Sequence, residues 1–266
     1  MANSQVAVVT GASSGIGKSI SQKLLDSGFE VWALDLNAPE NKSLNFIQVN
    51  LAALETLDDV ASKLPSKIDV LVNAAGVSGL LPIPTVMRVN FYGLRALTRL
   101  VADRIVNGGA VVNVASTSAW FWRDHLEELR QLIGVETSQD IDSVVSDLVP
   151  DGYSAYARSK EAVLVWSAMA AQEYLGRFRV NSVSPGPVQT PLLDEFYEAM
   201  GHEELDPLTA RAGGRNGLPD EIADVVLFLA GSDSRWINGT DLPVDNSAEM
   251  SEFLAAQGFI ERLVRQ

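Results

Sequence analysis

Short apolar runs alternate along the chain with longer segments in which apolar residues recur at helical spacing. The runs predict strands over residues 6–9, 30–35, 46–49, 68–72, 110–114, 178–183 and 241–244. The longer segments predict helices over 16–25, 54–64, 86–106, 153–175 and 219–230. Since strand–helix–strand units join parallel strands by right-handed crossovers, the pattern predicts one α/β domain over residues 1–266, doubly wound around a parallel sheet.

Residues 120–150 interrupt this alternation and contain no clear strand. Apolar residues recur at helical spacing over 123–133 and again over 141–148, and Thr137 with Asp140 resembles a capping box. The pattern predicts a helical hairpin inserted before the helix at 153–175. The simplest interpretation is two amphipathic helices packed on the core, which leaves a functional role open.

Composition narrows the chemistry. The chain has no cysteine and two histidines, which excludes disulfides, iron–sulfur clusters and thiol catalysis and predicts no metal site. The net charge of −14 disfavours binding to nucleic acid or to an anionic membrane. The sequence shows no membrane-spanning run and no secretion signal at its start, so we expect a cytoplasmic protein.

A glycine-rich segment, Thr10 to Gly17, follows the first strand and precedes the first helix. Glycines there allow a tight turn and close approach of a pyrophosphate, which the free N–H groups of the helix N-terminus then bind. We therefore predict a Rossmann-type dinucleotide site. Its loop contacts are Gly11, Ser13, Ser14, Gly15, Ile16 and Gly17.

Asp35 ends the second strand, 18 residues after Gly17. Its carboxylate can accept hydrogen bonds from both ribose hydroxyls of an adenosine and would repel a 2′-phosphate. No Arg or Lys follows closely, so the sequence favours NAD over NADP. The alternative, a solvated turn residue, is weaker behind such a loop.

The spacing Thr-Gly-x-x-x-Gly-x-Gly resembles the short-chain dehydrogenase/reductase superfamily. Further motifs of that family follow in order: Asn73-Ala74-Ala75-Gly76, Asn90, Asn113-Val114-Ala115-Ser116, Tyr156-Ala157-Arg158-Ser159-Lys160 and Pro185-Gly186-Pro187-Val188-Gln189-Thr190. Two positions depart from the family pattern. Asn50 stands where relatives carry Asp, and Asn246-Ser247 stands where they often carry Gly-Gly.

The resemblance implies a nicotinamide-dependent oxidoreductase acting on a small alcohol or carbonyl compound. It assigns these further residues to the cofactor: Leu36, Asn50, Leu51, Asn73, Ala74, Ala75, Gly76, Tyr156, Lys160, Pro185, Gly186, Val188 and Thr190. It also gives Asn90 a place in a proton relay that runs through a water and Lys160.

The residues themselves indicate the acid/base chemistry. Tyr156 and Lys160 are four residues apart and so share one face of a helix, where a cation lowers the pKa of a phenol. Ser116 ends the fifth strand, at the sheet edge where ligands bind, and can hold the substrate oxygen. Considered one at a time, Tyr156 would be interpreted as a packing residue, Lys160 as a solvated helix residue and Ser116 as a cap at the end of a strand.

Loop lengths and local strings resemble the branch of the superfamily that contains bacterial coniferyl-alcohol dehydrogenases and 3α-hydroxysteroid dehydrogenase/carbonyl reductases. This implies an aromatic, cinnamyl-type alcohol as substrate, or alternatively a hydroxysteroid. A non-catalytic NAD-binding regulator is a more remote alternative. We expect an apolar pocket at Ser116 with Trp120, Leu192 and Phe196 as substrate contacts. Two mobile segments roof it, one with Leu193 and Tyr197, the other with Phe121 and Trp122.

The same resemblance implies a homodimer or homotetramer. Many relatives pair through the long helices that carry Asn90 and Tyr156, and the hairpin at 120–150 enters beside them. We therefore expect contact through the last helix and strand, around residues 219–244.

Overall fold

The computed structural model of the chain describes residues 4–136 and 139–260. Seven strands form its sheet: β1 (Val6–Thr10), β2 (Glu30–Asp35), β3 (Asn45–Gln48), β4 (Ile68–Asn73), β5 (Ile105–Val114), β6 (Arg179–Pro185) and β7 (Asp241–Val244). All pair in parallel, in the order β3-β2-β1-β4-β5-β6-β7. The doubly wound parallel sheet that the sequence predicts is confirmed.

Eleven α-helices lie within the described residues: α1 (Gly15–Asp26), α2 (Leu57–Ser62), α3 (Ile83–Met87), α4 (Leu94–Val101), α5 (Leu126–Gly134), α6 (Ile141–Leu148), α7 (Gly152–Glu173), α8 (Pro191–Met200), α9 (His202–Arg211), α10 (Pro219–Ala230) and α11 (Ala248–Ala256). No helix of the described part is long and apolar enough to span a membrane. The sheet separates two cores. One contains α1 and α10, which pack on each other, and the larger contains α2 to α7.

The predicted hairpin is present as α5 and α6, which pack on each other and on the helices around Asn90 and Tyr156. The Tyr92 hydroxyl donates to the Leu132 carbonyl at 2.9 Å, and the buried Arg95 donates to the Ile133 carbonyl at 2.6 Å. These bonds fasten the C-terminal end of α5 to Tyr92 and to the first turn of α4. Helix α6 begins after Asp140 with no side-chain cap, and Thr137 lies outside the described residues.

The prediction of a helix over 86–106 is wrong at its C-terminal end. The helical segment starts at Ile83, passes through a π-turn over Arg88–Gly93 and, after α4, ends in a short 3-10 turn at Arg104. Strand β5 begins at Ile105. Gly108 and Gly109 therefore lie inside this strand, where they form an irregularity, and do not end a helix. A Cβ on Gly109 would lie 2.8 Å from the Asp69 carbonyl oxygen on β4. The register between β4 and β5 shifts at this point.

Three helices are absent from the sequence prediction: α8, α9 and α11. They share very little burial: α8 buries no residue, α9 buries only Leu205 and α11 buries only Ala248, so none of them has the core-facing stripe that marks a core helix. All three lie above one edge of the sheet. That edge is the place where the predicted site residues gather.

Candidate active site

The carboxyl ends of the parallel strands meet at one edge, and the predicted motifs follow them there. The glycine loop follows β1, Ala74–Gly76 follows β4, Ser116 follows β5 and Gly186 follows β6. These segments line a cleft of about 930 Å³. This is the sheet edge at which doubly wound folds bind their ligands.

The glycine loop leaves no room for side chains. A Cβ on Gly17 would lie 2.1 Å from the Gly11 carbonyl oxygen, and one on Gly11 would lie 2.7 Å from the Ala75 Cα. Gly11 and Gly15 also have positive φ, at 69° and 50°. The β1–α1 turn is therefore packed backbone against backbone, and the start of α1 lines the cleft from Ser14 to Gly17, which fits the diphosphate of a dinucleotide.

Asp35 is positioned at the far end of this cradle. One carboxylate oxygen accepts the Ser13 N–H at 3.0 Å and the other accepts the Asn37 N–H at 3.1 Å. These bonds fix the carboxylate between the glycine loop and the end of β2. The cleft also receives Leu36, Asn50 and Leu51, as predicted. No helix separates β2 from β3, in agreement with the short segment that joins them.

Three of the residues predicted for the cofactor or the proton relay do not line the cleft: Ser13, Asn73 and Asn90. The buried Asn73 amide donates to Thr98 Oγ1 at 3.0 Å and to Asn113 Oδ1 at 2.8 Å, so its side chain joins β4 to α4 and β5. The end of β4 is held by Thr10, whose hydroxyl accepts the N–H groups of Ala74 and Ala75. The Asn73 side chain thus supports the cradle from behind.

Asn90 lies in the π-turn and is fully buried. Its Oδ1 accepts the Val77 N–H at 2.9 Å, and its Nδ2 donates to the Val77 carbonyl at 3.1 Å and to Ser159 Oγ at 3.0 Å. The amide therefore clamps the loop after β4 to α7. Its part in a proton relay stays a prediction.

Ser116, Tyr156 and Lys160 lie together in the cleft. Ser116 and Tyr156 both line it, and the Lys160 Nζ lies 5.7 Å from the centre of the Tyr156 ring. Ser116 Oγ also accepts the Ser118 N–H at 3.1 Å, and Lys160 donates to the Val114 carbonyl at 2.9 Å. Because Tyr156 and Lys160 occupy successive turns of α7, a single helix presents the phenol and the cation on one face.

Burial sets the electrostatics of this group. It raises the pKa of Tyr156 to about 12, opposed by the hydrogen bond from Ser116, and lowers the pKa of Lys160 to about 8. Both shifts disfavour the charged form of an isolated group. Charged together, a phenolate and an ammonium stabilise each other, and a further positive charge in the cleft favours the phenolate. Tyr156 is therefore expected to lose its proton when a cation lies close to it.

The substrate end of the cleft is lined by aromatic side chains. Phe196 of α8 meets the Tyr156 ring edge-on at 4.9 Å, and Trp120 lies 6.3 Å from Phe253 of α11. Leu192, Leu193 and Phe121 also line the cleft. Tyr197 and Trp122, expected in the roof, do not: Tyr197 packs on His202 and bonds Asp206, and Trp122 packs against the core.

Helices α9 and α11 add lining residues that the sequence analysis missed, among them Glu203, Glu204, Leu208, Arg211, Glu249, Glu252 and Phe253. In the sequence, the departure from the family pattern at Asn246-Ser247 is the one feature that points to these residues, because it marks an altered turn before α11. Among the described residues that line the cleft, Lys160 and Arg211 are the cations, and neither lies at the Asp35 end.

Comparison with known proteins agrees with this geometry. The family model described as "short chain dehydrogenase" matches residues 5–123, and one described as "Enoyl-(Acyl carrier protein) reductase" matches residues 140–246. A coniferyl-alcohol dehydrogenase from Pseudomonas sp. is 39% identical over 90% of this chain and 94% of its own length. A D-threitol dehydrogenase from Mycolicibacterium smegmatis is 30% identical over 91% of each chain.

Among solved structures, the 3α-hydroxysteroid dehydrogenase of Pseudomonas sp. B-0831, crystallised with NADH, superposes with a TM-score of 0.80. It is 28% identical, and the match covers 95% of this chain and 99% of that one. The motifs, the parallel sheet and the cleft thus have counterparts along nearly the whole chain. The chain belongs to the short-chain dehydrogenase/reductase family, whose members are oxidoreductases that bind a nicotinamide cofactor.

Proposed function

We propose that the protein is an NAD-dependent alcohol dehydrogenase in which Tyr156 is the catalytic acid/base. The observation that carries this is the group of Ser116, Tyr156 and Lys160, gathered in the same cleft as an intact glycine loop. Nicotinamide, when bound, takes hydride from the carbinol carbon or returns it to a carbonyl.

The side chains handle the proton. Ser116 Oγ holds the substrate oxygen, and the Tyr156 hydroxyl accepts the proton as the alcohol is oxidised or donates it in the reverse direction. Lys160 stabilises the phenolate, and its bond to the Val114 carbonyl keeps the ammonium directed at the phenol ring. A phenol is a poor base at neutral pH until a nearby cation lowers its pKa, so Lys160 is required for the rate.

Asp35 supports NAD over NADP. Its carboxylate is held at the ribose end of the cleft, and the cations of the cleft lie elsewhere. Lys18, near the glycine loop, is paired with Glu40 at 2.7 Å. A 2′-phosphate would therefore meet a carboxylate with no compensating positive charge.

The substrate that fits best is a flat aromatic alcohol of the cinnamyl type. Phe196, Trp120 and Phe253 provide apolar ring surfaces close to Ser116 and Tyr156, as a ring with one reacting oxygen requires. The coniferyl-alcohol dehydrogenase relative supports this assignment. A hydroxysteroid is the second candidate, favoured by the overlap with the 3α-hydroxysteroid dehydrogenase.

An NADH-absorbance screen separates these candidates. The proposal predicts much higher kcat/KM for coniferyl or cinnamyl alcohol than for ethanol, a sugar alcohol or a 3α-hydroxysteroid. Preference for the steroid would transfer the assignment to the second candidate. NAD binding with no turnover of any alcohol would favour a dinucleotide-sensing regulator, against which the intact Tyr156–Lys160 pair argues.

For the oligomer, we propose pairing through α10 and β7. The hairpin packs beside the helices that many relatives use for pairing, on α3 and α7 and on Arg95 of α4, while Phe228 on α10 and Trp236 before β7 are 43% and 97% exposed. Trp236→Glu should yield monomers in light scattering, and Phe259→Glu, at another exposed ring, should not. Assembly unchanged by Trp236→Glu would contradict this contact.

A further inference from the structure

After β7 the chain forms a turn in which two residues have positive φ angles. Asn246 and Ser247 have φ values of 51° and 68°, in the left-handed region that favours glycine. Side chains hold the turn: the Asp245 carboxylate accepts the N–H groups of Ser247 at 3.0 Å and Glu249 at 2.9 Å, and Asn246 donates to the Ala212 carbonyl at 2.9 Å. The turn therefore directs α11 along a defined line.

Helix α11 runs back across the cleft. On one side Arg211 of α9 donates to Glu252 at 2.8 Å, and on the other Phe253 contacts Trp120, with 6.3 Å between ring centres. Helix α11 thus joins helix α9 to the segment that follows Ser116. It is held at both sides of the substrate end.

Phe253 is the ring that α11 brings to this place. It faces Trp120 at a centroid distance of 6.3 Å, lines the cleft and keeps 44% of its surface exposed. An apolar ring left half-open beside a second aromatic ring gains most when a flat ligand covers it. Glu249 and Glu252 border the same place with Glu203 and Glu204, and Arg211 is the one cation among them, so the acidic groups outnumber the basic one and disfavour an anionic ligand.

We propose that Phe253 and Trp120 form a ring-binding pair, and that α11 thereby determines which alcohols the enzyme accepts. The pair binds the ring at the end of the substrate away from the carbinol, and the carboxylates restrict that ring to neutral or hydrogen-bond-donating forms such as a phenol. Asn246 is a positioning residue, because its bond to Ala212 sets the start of α11. This inference rests on the proposed alcohol dehydrogenase activity.

The test compares two allylic alcohols that share the reacting carbon: coniferyl alcohol, which carries a ring, and allyl alcohol, which does not. Phe253→Ala should lower kcat/KM for coniferyl alcohol by about 10-fold, the order expected for loss of an aromatic contact, and change that for allyl alcohol by less than about 2-fold. Asn246→Gly keeps the left-handed turn but loses the bond to Ala212, and should show the same selectivity change to a smaller extent.

Met250→Ala is the matched control, since Met250 lies on α11, is 45% exposed and does not line the cleft. Thermal melting of each variant excludes unfolding as the cause. Equal losses on both alcohols, or no loss on coniferyl alcohol, would overturn the ring-binding pair.

Calorimetry with the NAD-loaded protein separates this inference from the function beneath it. If coniferyl alcohol binds without turnover and Phe253→Ala weakens that binding, the pair stands and the proposed activity fails. If the wild-type protein oxidises allyl alcohol but neither binds nor oxidises coniferyl alcohol, the activity stands and the pair fails. If coniferyl alcohol does not bind at all and no alcohol is turned over, both fail.

Discussion

At the cofactor end of the cleft, backbone meets backbone: a Cβ on Gly17 would lie 2.1 Å from the Gly11 carbonyl oxygen. At the substrate end, the walls are side chains from separate segments, such as Trp120 and Phe253, which contact each other with 6.3 Å between ring centres. The first end comes from adjacent strands and a short loop. The second comes from the segment after Ser116 and from two lid regions far along the chain, α8–α9 and α11.

This difference indicates how the enzyme divides its tasks. Close backbone packing admits one shape of ligand and tolerates almost no substitution. Surfaces built from side chains on separate helices can change ring by ring without disturbing the sheet. Chemistry and cofactor choice should therefore be sensitive to single atoms, whereas substrate choice should respond in graded steps.

The largest expected effect lies where the two ends meet. Tyr156→Phe removes the titrating hydroxyl but keeps the ring, so turnover should fall by about 10³-fold or more while NAD binds as before. Tyr174→Phe, just after the end of the same helix and outside the cleft, should leave both unchanged. Steady-state kinetics and NAD titration check this, and turnover of Tyr156→Phe near the wild-type rate would sink the assignment.

Next comes the backbone packing of the cofactor end. Gly17→Ala places a methyl group against the Gly11 carbonyl, which cannot move without opening the β1–α1 turn, so stability should fall by about 3 kcal/mol. NAD affinity should fall with it. Gly134→Ala, also in a helix but with no atom within 4 Å of the new Cβ, should be neutral. Urea denaturation measures both, and equal stability of the two variants would refute the tight cradle.

The next prediction concerns the preference of the enzyme for NAD over NADP. Asp35→Ala combined with Leu36→Arg removes two charge-assisted acceptors and adds a cation, so the ratio of kcat/KM for NAD to that for NADP should fall by about 10²-fold. The variant also leaves the Ser13 N–H without its acceptor, so melting is followed in parallel. A wild-type enzyme that already prefers NADP would contradict the role given to Asp35.

The smallest effect concerns Glu249 at the substrate end. Burial, then the charges of Glu252 and Asp245, raise the pKa of Glu249 to about 7, opposed by Arg211 and the Thr117 hydroxyl. Because this pKa is above its usual value, the stability contributed by the protonated form is full below about 4.5 and lost as the pH rises through about 7.

Helix α11 should therefore loosen above neutral pH, and KM for coniferyl alcohol should rise a few-fold relative to that for allyl alcohol. Glu249→Gln should flatten this dependence. The check is KM as a function of pH for both alcohols and both proteins. A dependence unchanged in Glu249→Gln would exclude this group as its source.

The sequence predicts the two ends unequally. The glycine loop, Asp35 and the Tyr156–Lys160 pair follow from short spacings within single elements, and helix and strand periodicity fixes those elements. Helix α10 and strand β7 have the predicted bounds for the same reason. Residues such as Gly108 and Gly109 mislead, because a glycine pair that ends a helix and one that makes a strand irregular look alike in sequence.

The part of the lid that α9 and α11 form could not be predicted in this way. Phe253 reaches Trp120 only because the turn at Asn246-Ser247 aims α11 across the cleft, and nothing in the local pattern around either ring indicates the other. Glu249 and Arg211 are likewise brought to the cleft by helices with little apolar periodicity. Contacts between segments separated by more than a hundred residues depend on tertiary packing.

The most direct test follows an atom from alcohol to cofactor. The enzyme is incubated with NAD and coniferyl alcohol deuterated at the carbinol carbon, and the NADH formed is analysed by mass spectrometry. The account predicts one deuterium in each NADH, with formation abolished in Tyr156→Phe. Unlabelled NADH, or labelled NADH formed at the wild-type rate by Tyr156→Phe, would contradict it.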